Sequence, residues 1–407
     1  MAFRVLLACG VVIAIAACNP FGGGEFSCTT NDQCGAGGMC TNSFCSFMDP
    51  SCLSGYRYGE LSGGLANKCV GDEPKDGGID SKEFLDAHVA QDGVYCYGTG
   101  FGATCFLAPP TGAVNLTPQT IMTDTSNMCS TTVMGNPAWC VITGADITIA
   151  AGTVNAIGGK PLVLVATNTI TVTGTIDVSS KRGGQIGAGS VAVGNMLCEP
   201  GTAGGNNSGG AGGSFGSAGG VGGNAGGETA GGVKPTNVMR GGCPGQDGKT
   251  GTVGQKGLGG GVVYLAAGTM ITVAGTINAS GAGATPGVTG SAGGGGGGSG
   301  GLVGLDAPIV SMTGAFIFAN GGGGAEGSGL TTMGMFGGES VNGATAPGGG
   351  GLSASGGDGG SGGTSAAAGT GQNGTNGGGG GGGGAGAIKL FQAASITGAG
   401  TVSPTAS

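Results

Sequence analysis

Four stretches of this chain repeat one arrangement, and the repeat restricts the fold more than any other feature. Leu162-Val-Leu-Val-Ala leads into Ile170-Thr-Val-Thr-Gly174-Thr-Ile-Asp-Val, and Val262-Val-Tyr-Leu-Ala into Ile271-Thr-Val-Ala-Gly275-Thr-Ile-Asn-Ala. Leu302-Val-Gly-Leu-Asp precedes Val310-Ser-Met-Thr-Gly314-Ala-Phe-Ile-Phe. Ile388-Lys-Leu-Phe-Gln precedes Ile396-Thr-Gly-Ala-Gly400-Thr-Val-Ser, and a partial copy surrounds Gly152. In each second half apolar residues alternate with polar ones. Ile170, Val172, Ile176 and Val178 share one parity and Thr171, Thr173, Thr175 and Asp177 the other, as in a strand with one buried face. The first half is apolar at both parities, as in a strand covered on both sides. The glycine between them suits a bend. Units that bury an inner face only against their neighbours must stack. The expected fold is therefore mainly β, a parallel β-solenoid over residues 93–407.

Gly152 and Gly174 are 22 residues apart, one plausible coil, but the later anchors are separated by 101, 39 and 86. The excess is glycine-rich sequence entering after the same strand, at about 181–260, 281–300 and 321–386, so the insertions should hang from one side of the stack. Glycine supplies 106 of the 407 residues and charged residues only 8%. That excludes an ordinary enzyme-sized globule, because glycine adds no apolar area and loses the most backbone entropy on folding. Glycine recurs at every third position over 210–222 and 242–260, the three-per-turn period of polyproline II. Polyglycine II-like helices packed side by side and a flexible Gly/Ser loop are both open there. The homopolymer Gly377–Gly384 reads as flexible filler.

Residues 1–17 join Arg4 to the apolar run Val5–Ala17, a secretory signal peptide too short to span a bilayer. A tether at 18–27, a Cys-rich module at 28–70 and an acidic, polar linker at 71–92 follow. Beyond Cys9 and Cys18, six cysteines lie at Cys28, Cys34, Cys40, Cys45, Cys52 and Cys69, and six at Cys96, Cys105, Cys129, Cys140, Cys198 and Cys243. Even numbers in both blocks point to disulfides and an oxidising compartment. The single His leaves no Cys/His set for zinc, so no metal is expected. Six cysteines allow 15 connectivities in the first block. In the second, proximity alone suggests Cys96–Cys105, Cys129–Cys140 and Cys198–Cys243.

Ile15-Ala16-Ala17-Cys18 resembles a bacterial lipobox, which implies cleavage before Cys18 and lipid attachment to it, while Asn19 implies the outer membrane; plain secretion after Ala16 is the alternative. The module at 28–70 resembles small Cys modules at the start of surface lipoproteins from myxobacteria and their relatives. The glycine-rich remainder, most specifically PLVLVATNTITVTGTIDVSS at 161–180, resembles the PGRS-type bacterial surface proteins. The resemblance implies neither enzymatic activity nor a cofactor.

Catalytic motifs fail on inspection. G-x-S-x-G occurs around Ser214, Ser299 and Ser361 by chance in half-glycine sequence, with only His88 to act as base. Gly248-Lys249-Thr250 ends like a P-loop, but Cys243 occupies the position of its first glycine. The 71–92 segment lacks EF-hand spacing, and only Asp306 and Asp358 follow residue 250, too few for calcium-binding nonapeptides. Asp146, Asp177, Lys181 and Arg182, the candidates for a glycan-cleaving β-helix, read as solvated strand ends, and Trp139 as packing over the Cys140 disulfide. A pI near 4.5 without a basic patch disfavours nucleic acid. The sequence thus points to an exported, lipid-anchored structural or adhesion protein of the cell surface without catalytic activity. It would meet the membrane through its lipid, and matrix, glycan or a neighbouring cell through its solenoid. The alternative is a glycan-binding or glycan-cleaving solenoid.

Overall fold

The computed structural model describes residues 27–70 apart from 36, 42, 50, 53–55 and 63–64, residues 88–90, and 94–407 apart from 131–132, 135–137, 191–197, 199–200, 203, 225, 366 and 394. The signal peptide, Cys18 and residues 71–87 of the linker lie outside the described residues. The chain divides into two units, 1–84 and 85–407.

In the first unit, β1 (Gly38–Thr41), β2 (Phe44–Met48) and β3 (Tyr56–Tyr58) form an antiparallel sheet. So small a module cannot hold itself with an apolar core alone. Disulfides Cys28–Cys40, Cys34–Cys45 and Cys52–Cys69 staple it.

The second unit begins with an antiparallel sheet, β4 (His88–Ala90), β5 (Val94–Tyr97) and β6 (Thr104–Phe106), closed by Cys96–Cys105. Parallel pairing starts with β7 (Ala113–Leu116) and β8 (Gln119–Met122). It continues through β9 (Cys140–Ile149), β10 (Thr153–Ile157), β11 (Leu162–Val172) and β12 (Thr175–Asp177). Each later repeat supplies three strands: β13 (Val262–Ala267), β14 (Met270–Val273) and β15 (Thr276–Asn278); β16 (Leu302–Asp306), β17 (Ile309–Ser311) and β18 (Phe316–Phe318); β19 (Ala387–Phe391), β20 (Ser395–Thr397) and β21 (Thr401–Ser403). One sheet runs β8-β10-β12-β15-β18-β21, and a nine-stranded sheet takes the others. Cys129–Cys140 ties the segment before β9 to its first residue.

The parallel register stacks like on like. Ile147, Ile170, Ile271, Val310 and Ile396 form one column, and Val154, Ile176, Ile277, Ile317 and Val402 another. All but Ile396 and Val402 are buried, and each such side chain contributes roughly 1.5–3 kcal/mol. The doubly apolar halves are covered on both sides as expected. Leu162, Leu164, Val263 and Leu265 face the main core, while Val163, Val165, Tyr264 and Ala266 face a second cluster with Tyr97 and Phe106.

The bend glycines stack as well, because a Cβ on Gly174 would stand 1.9 Å from the Ala150 carbonyl oxygen. One anchor is corrected. Phe316 pairs with Thr276, so Ala315, not Gly314, occupies the column of Gly174, Gly275 and Gly400. Gly314 is an additional corner residue at φ +75°.

All three insertions leave after β12, β15 and β18 and return at Gly261, Gly301 and Gly386, directly before β13, β16 and β19. They make one array. Segment 292–301 donates from Gly294, Gly297 and Gly300 to Gly378, Gly381 and Gly384; from Gly293, Gly296 and Ser299 to Lys249, Gln246 and Cys243; and from Gly295, Gly298 and Gly301 to Thr285, Ala282 and Ala279. Its carbonyls accept from Gly254, Gly257 and Gly260, from Gly322, Ala325 and Ser328, and from Gly210 and Gly213. Six neighbours therefore surround it, each addressed at three-residue intervals. Segments 320–329 and 377–386 are enclosed in the same way. The homopolymer Gly377–Gly384 is thus no filler, and the expectation of a flexible run is corrected: neighbours in every direction leave no room for a Cβ along this run. A Cβ on Gly381 would lie 2.1 Å from the Gly220 oxygen and one on Gly383 2.0 Å from the Gly298 oxygen.

Candidate interaction surfaces

Most side chains with chemical potential hold the fold together. Asp306 is fully buried and accepts hydrogen bonds from the Tyr264 phenol, from the Thr99 amide at 2.7 Å and from the Gly100 amide at 2.9 Å. Glu326, also fully buried, accepts from the amides of Met335, Leu352 and Ser353 at 2.7, 3.2 and 2.8 Å, so one carboxylate fixes two turns of the third insertion. Arg240 lies over the Phe215 ring and donates to the sulfurs of the Cys198–Cys243 disulfide; desolvation lowers its pKa.

The candidates for a glycan-cleaving face are not brought into one catalytic cluster. The Asp146 carboxyl is held below its ordinary value, chiefly by the Thr169 hydroxyl at 2.6 Å. Asp177 is buried, accepts from Ser179 and pairs with Lys181 at 2.8 Å. Arg182 donates to the Gly337 carbonyl, stacks over Phe336 at 4.6 Å and presents its amide to Glu339. The reading of Asp177 as a solvated strand end is therefore corrected, since it is buried, whereas Arg182 is exposed as expected and also ties the start of the first insertion to the third. Ser299 and Ser214 are buried and bond to backbone at Cys243 and Gly219, and Trp139 packs against the cluster around Tyr264.

Among the described residues, two surfaces of the second unit stand out as available to a partner. The first is apolar. Leu330, Met333, Met335, Phe336, Val341 and Leu352 are 36–68% exposed within 23 residues of the third insertion. The second is charged. Lys234, Lys249 and Lys256 line a groove of about 430 Å³ with Glu228 and Asp247. An adjoining groove is lined by Lys181, Arg182 and the same Lys256 and Asp247. Sequence reading missed this cluster because its members are spread over 76 positions and meet only when the first insertion folds back on itself. At the tips of the array, Asn224 donates to the Asn207 and Asn376 carbonyls and accepts from Gly374, locking neighbouring turns together.

Comparison with known proteins finds no matching family model, no similar curated protein and no similar solved structure. The six disulfides fit an exported protein.

Proposed function

We propose that this protein is a non-catalytic structural or adhesion protein of the bacterial cell surface, exported by its signal peptide and anchored by lipid at Cys18. In this reading the in-register parallel strands form a β-solenoid, and the three insertions form a bundle of polyglycine II-type helices beside it. The resemblance to PGRS-type surface lipoproteins supports the same assignment. The observation that carries it is the hydrogen-bonded array itself. Its interior has almost no side chains and so offers no chemistry, while its rim holds exposed side chains on a backbone fixed by neighbours on several sides. Such a body suits presentation of a surface, and the exposed apolar group between Leu330 and Leu352 is its most evident contact.

Three measurements test this reading. Mass spectrometry of the mature chain should find an acylated Cys18 at the N-terminus. Intact cells should expose the chain to an impermeant label, and expressing cells should adhere less when Leu330→Ser and Leu352→Ser are combined. Labelling only after lysis, or turnover of a polysaccharide by the purified protein, would refute the proposal.

A further inference from the structure

From the two adjoining grooves we infer a binding site for a linear anionic polysaccharide, a partner class that deepens the surface-contact reading and rests on it. Residues 85–407 contain eight Lys and Arg against twelve Asp and Glu, so this unit is acidic overall. Five of those eight cations, Lys181, Arg182, Lys234, Lys249 and Lys256, nevertheless line the two grooves, where among the described residues the acids are Glu228 and Asp247.

The ion pairs here are layered. Lys249 meets Glu228 at 2.9 Å with side-chain exposures of 43% and 3%, and Lys181 meets Asp177 at 2.8 Å with 41% and 9%. In both, the carboxylate lies inside and the ammonium outside, so solvent faces positive charge. An ammonium has three donors, and pairing inward leaves others for a ligand. Only Lys256–Asp247, at 2.9 Å, reverses this order, with exposures of 23% and 45%. That pair stands where the grooves meet.

The shape selects the ligand class. Two adjoining grooves that share Lys256 and Asp247 offer cations on both sides of that pair, which suits an elongated chain rather than a compact anion. Asp247, Gln255 and Thr285 supply acceptors and donors for hydroxyl groups. A chain of uronate sugars presents both required features, spaced carboxylates and many hydroxyls.

The test uses the purified full chain with polygalacturonate, neutral dextran and duplex DNA as probes. Polygalacturonate should bind, weakening steeply as salt screens the exposed charges, and dextran should not. Combining Lys181→Gln with Lys249→Gln should weaken binding by about ten-fold, roughly two surface charge contacts. Combining Lys181→Arg with Lys249→Arg, which preserves charge and the inward pairs, should keep it within about three-fold. If the Gln pair unfolds the protein, the Arg pair and the salt series still decide. Equal binding of dextran, unchanged binding by a folded Gln pair, or loss of binding in a folded Arg pair would overturn the site. Tighter binding of DNA would assign the grooves to nucleic acid instead. Cell adhesion surviving the loss of polygalacturonate binding would separate this site from the apolar surface.

Discussion

The phenol of Tyr264 donates a hydrogen bond to the carboxylate of Asp306, linking two strands that are adjacent in the parallel stack. Thr99 and Gly100 bring their amides to the same carboxylate, so one buried charge clips the 94–106 hairpin onto β13 and β16. Burial, then the Asp306 hydrogen bond and charge, push the Tyr264 pKa far above the ordinary tyrosine value. A folded pKa raised above that of the unfolded chain gives a contribution fully present below pH ~10 and lost as pH rises toward the folded value. The native protein should therefore lose stability above pH ~10 more steeply than Tyr264→Phe, as urea midpoints across alkaline pH will measure. At neutral pH that variant should cost about 1–3 kcal/mol, because Asp306 stays buried with one donor fewer. An identical alkaline slope for the two proteins would contradict the linkage.

The Cys-rich module has its own pH signature at the opposite extreme. The Asp49 carboxyl is held at about 2, first by the Ser51 hydroxyl at 2.7 Å and then by Arg57. A depressed carboxyl pKa contributes above the unfolded value and loses its effect as pH falls through the folded one. Carbon-detected NMR titration should place Asp49 near 2 and show Ser51→Ala moving it upward. A Ser51→Ala titration matching the parent would mean that the hydroxyl does not set the shift.

Glycines of the array should divide by number of neighbours. A Cβ at Gly381 would stand 2.1 Å from the Gly220 carbonyl oxygen, and backbone cannot rotate aside as a side chain can. At Gly232 nothing lies within 4 Å of the same atom. Gly381→Ala should cost at least about 2 kcal/mol, in the range of overpacked interiors, whereas Gly232→Ala should stay within about 0.5 kcal/mol. Denaturant midpoints of the two variants provide the comparison, and equal midpoints would remove the packed interior.

The strand repeat was legible because a period of two reports directly which face a side chain takes. Ile170 and Thr171 could be sorted without knowing any partner. The insertion point was legible for a related reason, since a strand of one short pattern, Gly-Thr-Ile before the first two excursions and Ala-Phe-Ile before the third, precedes each of them. What escaped reading depends on neighbours distant in sequence. The run Gly293–Gly298 looks like low complexity, yet it marks a segment enclosed on all sides; the three-residue period over 242–260 marks a rim segment free to carry side chains outward. Gly314 misled because a corner glycine at positive φ looks the same in sequence as a glycine in the bend column. Lys181 and Lys249, 68 positions apart, reach adjoining grooves only because the first insertion folds back along itself.

Hydrogen exchange tests the array at its most distinctive point. The amides of Gly294, Gly297 and Gly300 all donate to segment 377–386, and those of Gly381 and Gly384 donate onward to Gly210 and Gly213. These bonds cross all three insertions, so opening any one of them requires separating segments from different repeats. Such amides should exchange with the slowest class of the second unit, alongside those of β11 and β13. The amide of Gly232, in an exposed loop, should exchange far faster. Complete exchange of 293–301 and 378–386 within seconds would mean that the glycine segments are not held together in solution. The two grooves, whose walls come from separate segments of the array, would then lose the scaffold that brings Lys181 and Lys249 to one surface.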